Sequence, residues 1–111
     1  MGTFFHPITI IGPDGEETIE APVDTDQLFA VIPSDVLQRL GMSPEDRKYW
    51  EGRGLAHARA RLGGYDGWAM CVFGEPGEQA TVGRHTLDSF ILDIDDHGHL
   101  VPKVLREIGH F

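Results

Sequence analysis

Short apolar runs separated by Gly, Pro and acidic residues divide this chain into segments of strand length. The first two runs, residues 4–11 and 17–23, flank residues 12–15, Gly-Pro-Asp-Gly. Proline presets φ for a turn there and glycine accepts positive φ, so these runs predict a β-hairpin. A third run, residues 28–32, follows three polar residues and predicts a third strand.

Two short helices are predicted after the third strand. Ser34 is placed to cap the first helix, apolar side chains follow at helical spacing, and Gly41 is placed to end it. Residues 43–46, Ser-Pro-Glu-Asp, have the N-cap residue, the proline and the acidic first turn of a second helix. The sequence leaves open how far that second helix continues.

The middle of the chain predicts two longer strands. Residues 55–62 alternate between apolar and polar side chains, which fits a strand with one solvent-facing side, although their Ala and Arg content leaves a helix open. Residues 63–67, Gly-Gly-Tyr-Asp-Gly, are predicted to form a turn. Residues 68–73 are apolar on both faces, as expected of a buried central strand.

The last third of the chain predicts a helical turn and a second hairpin. After a loop at residues 74–79, Gly83 interrupts a short β-type run, and residues 84–90 can form a helical turn. Two apolar runs around the turn sequence at residues 95–98 indicate the hairpin. The whole pattern, about seven strands with one to three short helices, predicts a single mainly β, closed barrel-type domain over residues 1–111.

Composition narrows the class of function. The 111 residues suffice for one core, and 18 acidic against 9 basic residues give a net charge of −9, which argues against a nucleic-acid partner. The single cysteine, Cys71, excludes an internal disulfide and fits a reducing compartment. The N-terminus does not resemble a signal peptide, and no apolar stretch approaches the ~20 residues that span a bilayer. We therefore expect a cytoplasmic protein that does not associate with membranes.

A polar triplet, Asp24-Thr25-Asp26, lies between apolar runs, and the second run leads into Pro33, a short helix and Leu-Gly. A buried strand follows, and then Thr81-Val82-Gly83 before the terminal hairpin. From about residue 8 to residue 102 this order resembles the retropepsin-like aspartic protease family, particularly its small bacterial members. The triplet corresponds to the family's Asp-Thr-Gly motif, and Thr81-Val82-Gly83 to its second motif, two apolar residues and Gly.

The resemblance implies a homodimeric peptidase without a metal or organic cofactor. One motif supplies one carboxylate, so a two-carboxylate site would pair Asp24 with Asp24 of a second copy about a two-fold axis. The pair would share a proton, one carboxylate acting as base toward water while the other polarises the scissile carbonyl. Thr25 would brace the pair across the dimer, and Gln27, Gly83 and Arg84 would contact a peptide or protein substrate.

Two departures from the family pattern favour an alternative. Asp26 stands where the family has Gly, which adds a side chain and a second charge beside each catalytic carboxylate. The flap, a β-hairpin that closes over substrate, would have only residues 42–54, unless residues 63–67 form its tip. The alternative is a catalytically inactive domain of the same fold that binds peptide or protein, or that dimerises. A structural role, with Asp24 in an ordinary polar loop, is a third interpretation.

His97, His99 and Cys71 could each have either a chemical or a structural role. His97 and His99 lie among three aspartates, which suits a metal site or an exposed hairpin tip. We expect the hairpin tip and no metal, because two histidines on a turn do not make a preorganised site. Cys71 could act as a nucleophile with His57 or His85, but its apolar neighbours favour an inert, buried thiol.

Three arginines and two aromatic residues also leave alternatives open. Arg53, Arg59 and Arg61 could bind an acidic partner or phosphate, although a solvated face or internal ion pairs are commoner in a chain of this charge. Tyr65 and Trp68 could form an exposed aromatic contact or belong to the core. The sequence does not decide between these.

Overall fold

The computed structural model describes residues 4–44 and 53–103, and these form seven strands and two short helices. In chain order the elements are β1 (Phe5–Gly12), β2 (Gly15–Pro22), β3 (Ala30–Pro33), α1 (Ser34–Arg39), β4 (Leu55–Leu62), β5 (Tyr65–Gly74), α2 (Arg84–Ser89), β6 (Leu92–Ile94) and β7 (Leu100–Pro102). The mainly β class predicted from the sequence is confirmed. The segment for which a helix was left open, β4, is a strand.

Five strands form one sheet in the order β2-β1-β4-β5-β3. Neighbouring strands are antiparallel except β3, which runs parallel to β5. Residues just outside the strands join the two edges of this sheet, because Val23 forms a bridge with Val82 and Val31 of β3 forms one with Thr81. This connection curls the sheet towards a barrel at the end where residues 24–28 lie.

The predicted hairpin of β1 and β2 is confirmed, with Gly12 opposite Gly15. Between β4 and β5, however, the predicted turn over residues 63–67 is too long. Gly63 and Gly64 alone make the turn, with φ of 61° and 82°, as a two-residue type I′ turn requires. Because two glycines supply both positive φ values, the strand resumes at once, and Tyr65 already pairs with Leu62.

The glycine at position 67 therefore lies inside β5, where its missing side chain has a packing purpose. A Cβ built on Gly67 would lie 2.9 Å from the ring of Phe90, the residue that follows α2. The close approach lets the aromatic ring cover the sheet.

The helix α1 begins differently from its sequence signals but ends as they predict. Pro33 occupies the N-cap position and Ser34 is the first helical residue, without a side-chain capping bond, so the prediction that Ser34 caps the helix is wrong. The reason is that β3 runs directly into the helix and leaves no loop residue for a cap. Gly41, with φ of 81°, ends the helix as predicted. Ser43 and Pro44 form no helix, and the rest of the second predicted helix lies outside the described residues.

The main core lies between the inner face of the sheet and the two helices. Ile8, Ile10, Leu37 and Leu62 are among its largest fully buried side chains, and small residues of β4 and β5 let the helices approach the sheet. The core consists of residues 8, 10, 21, 32, 36, 37, 40, 58, 60, 62, 69, 71, 80, 82, 87, 90 and 92.

The terminal hairpin of β6 and β7 is a separate two-stranded sheet, as the sequence predicted. Its tip is fastened to β1 by a hydrogen bond between His6 Nε2 and the carbonyl oxygen of Gly98, 2.9 Å long. Its base is fastened by the N–H of Lys103, which donates to the carbonyl of Ile91 at 2.9 Å. None of the helices in the described part of the chain has the length and apolar character needed to cross a bilayer.

Candidate active site at the Asp24 loop

The Asp24 loop, residues 24–28 between β2 and β3, is held by backbone hydrogen bonds from the second predicted motif. The N–H of Asp24 donates to Val82 at 2.9 Å, and the N–H groups of Arg84 and His85 donate to Gln27 at 2.9 Å and Leu28 at 2.8 Å. Two segments more than fifty residues apart in sequence thus meet at one place. The structure brings together the loop, Gly83 and Arg84.

Asp24 presents its carboxylate at the surface of the single chain. Its Oδ1 accepts the backbone N–H of Asp26 at 3.0 Å, and its carbonyl accepts the N–H of Gln27 at 3.1 Å. These bonds fix the carboxylate relative to the loop, and within the described residues Oδ2 makes no hydrogen bond, so it is available to solvent or to a second molecule. An Asx turn in a simple polar loop makes the same bonds, so what distinguishes this site is the scaffold around it.

Thr25 and Asp26, the other two residues of the triplet, are exposed. Within the described residues, the Thr25 hydroxyl makes no hydrogen bond and the Asp26 carboxylate pairs with no cation. Both side chains are therefore available to a partner molecule.

Gln27 is half-buried and braces the loop. Its Oε1 accepts the hydroxyl of Thr81 at 2.5 Å, a contact between the loop and the segment that joins the two sheet edges. The Gln27 side chain is therefore held by a contact within the single chain. Thr81 was outside the predicted set, and its only sequence signal is its place in the second motif.

The need for glycine at position 83 is steric. A Cβ there would lie 2.5 Å from the carbonyl oxygen of Phe29 and 2.7 Å from that of Leu28, distances that real side chains do not reach. Gly83 has φ of −94°, so any residue could adopt its backbone conformation. The glycine therefore serves the close approach of α2 to the loop. Arg84 follows it, exposed, and pairs with no acid among the described residues.

An apolar cluster that the sequence analysis missed extends from the loop along the outer face of the sheet. Val31, Leu55 and Val72 are its buried members, and Phe29 and Met70 pack against them. The ring of Phe29 also meets the imidazole of His85 edge-on, with centroids 5.3 Å apart. The signal was the uninterrupted apolar run over residues 28–32, since Ile32 faces the main core and its neighbour Val31 therefore faces outward.

Residues 63–67 do not form a flap tip. Their two-residue turn joins two central strands of the sheet, and Gly63 lies against Leu100 of the terminal hairpin. The segment proposed for a shortened flap, residues 42–54, lies largely outside the described residues.

The histidines of the terminal hairpin belong to a turn organised by Asp95. Asp95 Oδ1 accepts the N–H groups of His97 and His99, each at 2.9 Å, and these bonds, that of His99 foremost, hold the pKa of the Asp95 carboxyl below its usual range. Among the described residues no group of three or more His, Cys, Asp or Glu is placed to hold a metal ion.

Cys71 is fully buried in the main core, and burial raises the pKa of its thiol to about 12. Neither histidine considered as its partner is placed to activate it. His57 faces outward from β4, on the opposite side of the sheet from Cys71, and His85 packs against Phe29. The thiol is therefore a core group, as its apolar neighbours indicated.

No family model matches this chain, and no curated protein matches it in sequence. Among solved structures, the chain is similar to the retroviral protease-like domain of Ddi1 from Leishmania major. The similarity covers 92% of this chain and 89% of that one, with 16% identity and a TM-score of 0.63. At this level of identity, the similarity shows only that the two backbones have the same fold. With the strand order and the Asp24 loop described above, it establishes that the chain has a retropepsin-like fold.

Proposed function

We propose that this protein is an aspartic peptidase that works as a homodimer, with Asp24 of each copy forming one shared catalytic pair. The observation that carries the proposal is the Asp24 loop itself. An exposed carboxylate is fixed by the N–H of Asp26, and the loop that bears it is clamped by residues 81–85 at the closed end of a retropepsin-like sheet.

The chemistry follows from bringing two such carboxylates together. Two carboxylates within hydrogen-bonding distance cannot both ionise, so they hold one proton between them. The ionised member takes a proton from a water molecule, and that water attacks the peptide carbonyl. The protonated member donates to the carbonyl oxygen as the tetrahedral intermediate forms. The two macroscopic pKa values belong to the pair and not to either residue.

Two features of the chain support a second copy: the number of its Asp-Thr motifs and the exposure of the side chains at the Asp24 loop. The chain carries one Asp-Thr motif, and Asp24, Thr25 and Leu28 are exposed side by side in the single chain. A two-fold axis beside the loop would bring the two Asp24 carboxylates together and cover these side chains. The Thr25 hydroxyl, which makes no hydrogen bond within the described residues, would then have an acceptor in the second copy.

A peptide substrate fits the surroundings of the loop. Gly83 and Arg84 lie beside it, with Gln27 braced behind, and the cluster of Phe29 and Val31 offers an apolar wall to a side chain next to the cleaved bond. Arg84 would attract a substrate carboxylate or carbonyl.

The cytoplasmic location inferred from the sequence stays a prediction.

A catalytically inactive domain that binds peptide or dimerises is the second candidate, and Asp26 favours it. Four carboxylates around one axis repel each other, which raises the apparent pKa values of the pair, and the Asp26 side chain takes space that the family's glycine leaves free. The same loop and apolar wall would then serve binding alone.

The test is cleavage of a diverse peptide library between about pH 4 and 7, a range that spans the titration of a coupled carboxylate pair. Wild type, Asp24→Asn and the control Asp14→Asn, at an exposed aspartate of the β1–β2 turn at the opposite end of β2, are compared. We expect cleavage by wild type and the control, and a loss of about a thousandfold or more with Asp24→Asn. A folded wild-type dimer that binds peptides without cutting them would establish the inactive module instead.

A further inference from the structure

A pocket of about 540 Å³ lies on the outer face of the main sheet, away from the Asp24 loop. It is bordered by the β1–β2 turn, by the residues that follow α1 and by the outward face of β4 and β5. Asp24 follows the far end of β2, eight residues along that strand from the turn. None of the residues assigned above to the candidate active site lines this pocket.

The pocket contains an arginine, Arg59, that has no acidic partner among the described residues. Arg61 on the same strand is held by Glu16 at 3.1 Å and by Asp66 at 3.3 Å, and Arg53 is held by Glu78 at 3.3 Å. Arg59, by contrast, makes no ion pair or side-chain hydrogen bond in the described part of the chain, and none of the described residues that line the pocket is Asp or Glu. In a chain of net charge −9, a pocket whose described lining holds this guanidinium and no acid is a place where an external anion is favoured.

Beside Arg59 the pocket offers an aromatic surface. Arg59 and Trp68 are directly opposite each other on β4 and β5, so their side chains emerge on the same face of the sheet. The indole is 48% exposed, and the imidazole of His57 lies against it with ring centroids 5.0 Å apart and planes inclined by 33°. Ile11 and Met42 add apolar walls. An exposed tryptophan held in place by a neighbouring ring is suited to stack on a flat ligand.

We propose that this pocket binds a planar organic monoanion, an aromatic carboxylate, independently of the Asp24 site. The guanidinium of Arg59 pairs with the carboxylate through two parallel hydrogen bonds, and the flat body of the ligand stacks on Trp68. The volume falls within the ~300–1,000 Å³ of small-molecule pockets, so a ligand of one or two rings fits.

Acids just outside the pocket restrict the charge of the ligand. Glu16 stands opposite Ile11 on β2, and the Asp14 carboxylate lies against Gly41. Glu16 is already engaged by Arg61, but Asp14 makes no ion pair within the described residues. A ligand with several negative charges would be repelled by these carboxylates. The pocket therefore selects a single carboxylate over a phosphate or a polyanion.

The test is a calorimetric titration of the full chain with indole-3-acetate, with its neutral analogue indole-3-acetamide and with inorganic phosphate. We expect saturable binding of the acetate and at least tenfold weaker binding of the amide and of phosphate, a comparison that needs no variant. Arg59→Gln is expected to weaken acetate binding at least tenfold, whereas the matched control Arg61→Gln, on the same strand face, changes it less than twofold.

Three results would overturn the proposal. The first is the absence of saturable binding of indole-3-acetate up to about 10 mM, the weak limit of specific recognition. The second is equal affinity for the acid and for the amide. The third is an equal loss of acetate affinity in Arg59→Gln and Arg61→Gln. The far-ultraviolet circular dichroism and Tm of each variant show that a loss is not due to unfolding. Peptide cleavage is not a readout here, so this result does not depend on the proposed peptidase.

Discussion

The backbone N–H of Asp26 donates to Oδ1 of Asp24 at 3.0 Å, and this bond does not depend on the side chain at position 26. Asp26, at the position where the retropepsin motif has glycine, therefore does not disturb the bond that fixes the Asp24 carboxylate. Relative to glycine, Asp26 adds a charge and the four heavy atoms of its side chain at an exposed position.

The first prediction concerns that added charge. Asp26→Gly should preserve the fold and move the pH profile of kcat/KM toward acid, because removing a like charge beside the proposed pair favours its ionised form. Cleavage would also rise, because space opens above the loop. Asp26→Asn, which removes the charge and keeps the size, separates the two effects. An unchanged profile in both variants would mean that the Asp26 carboxylate points away from the pair.

Gly83→Ala should destabilise the protein by about 2–3 kcal/mol, because the added methyl group meets the carbonyl oxygens of Phe29 and Leu28 and forces the loop away from α2. Gly77→Ala is the control. That glycine has φ of 80° but open space around it, so only its backbone conformation is penalised, by about 1 kcal/mol. Urea unfolding of both variants makes the comparison. An equal or smaller loss at Gly83 would contradict the close packing described here.

The bond between the Thr81 hydroxyl and Gln27 Oε1 should contribute about 0.5–1.5 kcal/mol to stability, the usual range for a neutral hydrogen bond. A double-mutant cycle with Thr81→Val and Gln27→Leu measures it, since both changes keep the approximate volume. A coupling energy near zero would show that the two side chains do not brace the loop in solution.

Alkaline pH should destabilise the protein through Cys71. Its pKa is raised to about 12 in the folded chain, so the thiol stays protonated there while the unfolded chain ionises near the ordinary value. The stabilising difference is complete below the unfolded pKa and is lost as pH rises toward 12, by up to about 1.4 kcal/mol per pH unit. Cys71→Ala should flatten this part of the curve of unfolding free energy against pH.

Thiol labelling gives an independent check of the same burial. The wild-type thiol should react with a disulfide reagent only in denaturant. Rapid labelling of the folded protein, or an unchanged alkaline slope in Cys71→Ala, would place the thiol at the surface.

Much of the fold could be predicted because its strands carry local signals. Turn residues mark the β1–β2 hairpin and the terminal hairpin, and alternation marks β4. The predictions of helix and turn boundaries were wrong where one element runs directly into the next. Pro33 ends β3 and serves as the N-cap, so Ser34 had no cap to form, and Gly63 with Gly64 completed a turn that the sequence extended to residue 67.

The candidate site could be predicted in part. Motif order located Asp24 and Gly83, but the reason for Gly83 is its distance from the carbonyls of residues 28 and 29, which depends on tertiary packing. The sequence also grouped Arg53, Arg59 and Arg61 as equivalent. Only the three-dimensional arrangement shows that two of them have acidic partners while Arg59 has none among the described residues.

The central claim is that two copies share one pair of Asp24 carboxylates, and subunit mixing tests it most directly. Wild type is mixed with increasing fractions of Asp24→Asn at constant total protein, subunits are allowed to exchange, and cleavage of a sensitive peptide is measured. If a site needs both carboxylates, activity falls with the square of the wild-type fraction. A linear fall would place a complete site in each chain, and the absence of cleavage by pure wild type would remove the peptidase assignment; either result contradicts the account.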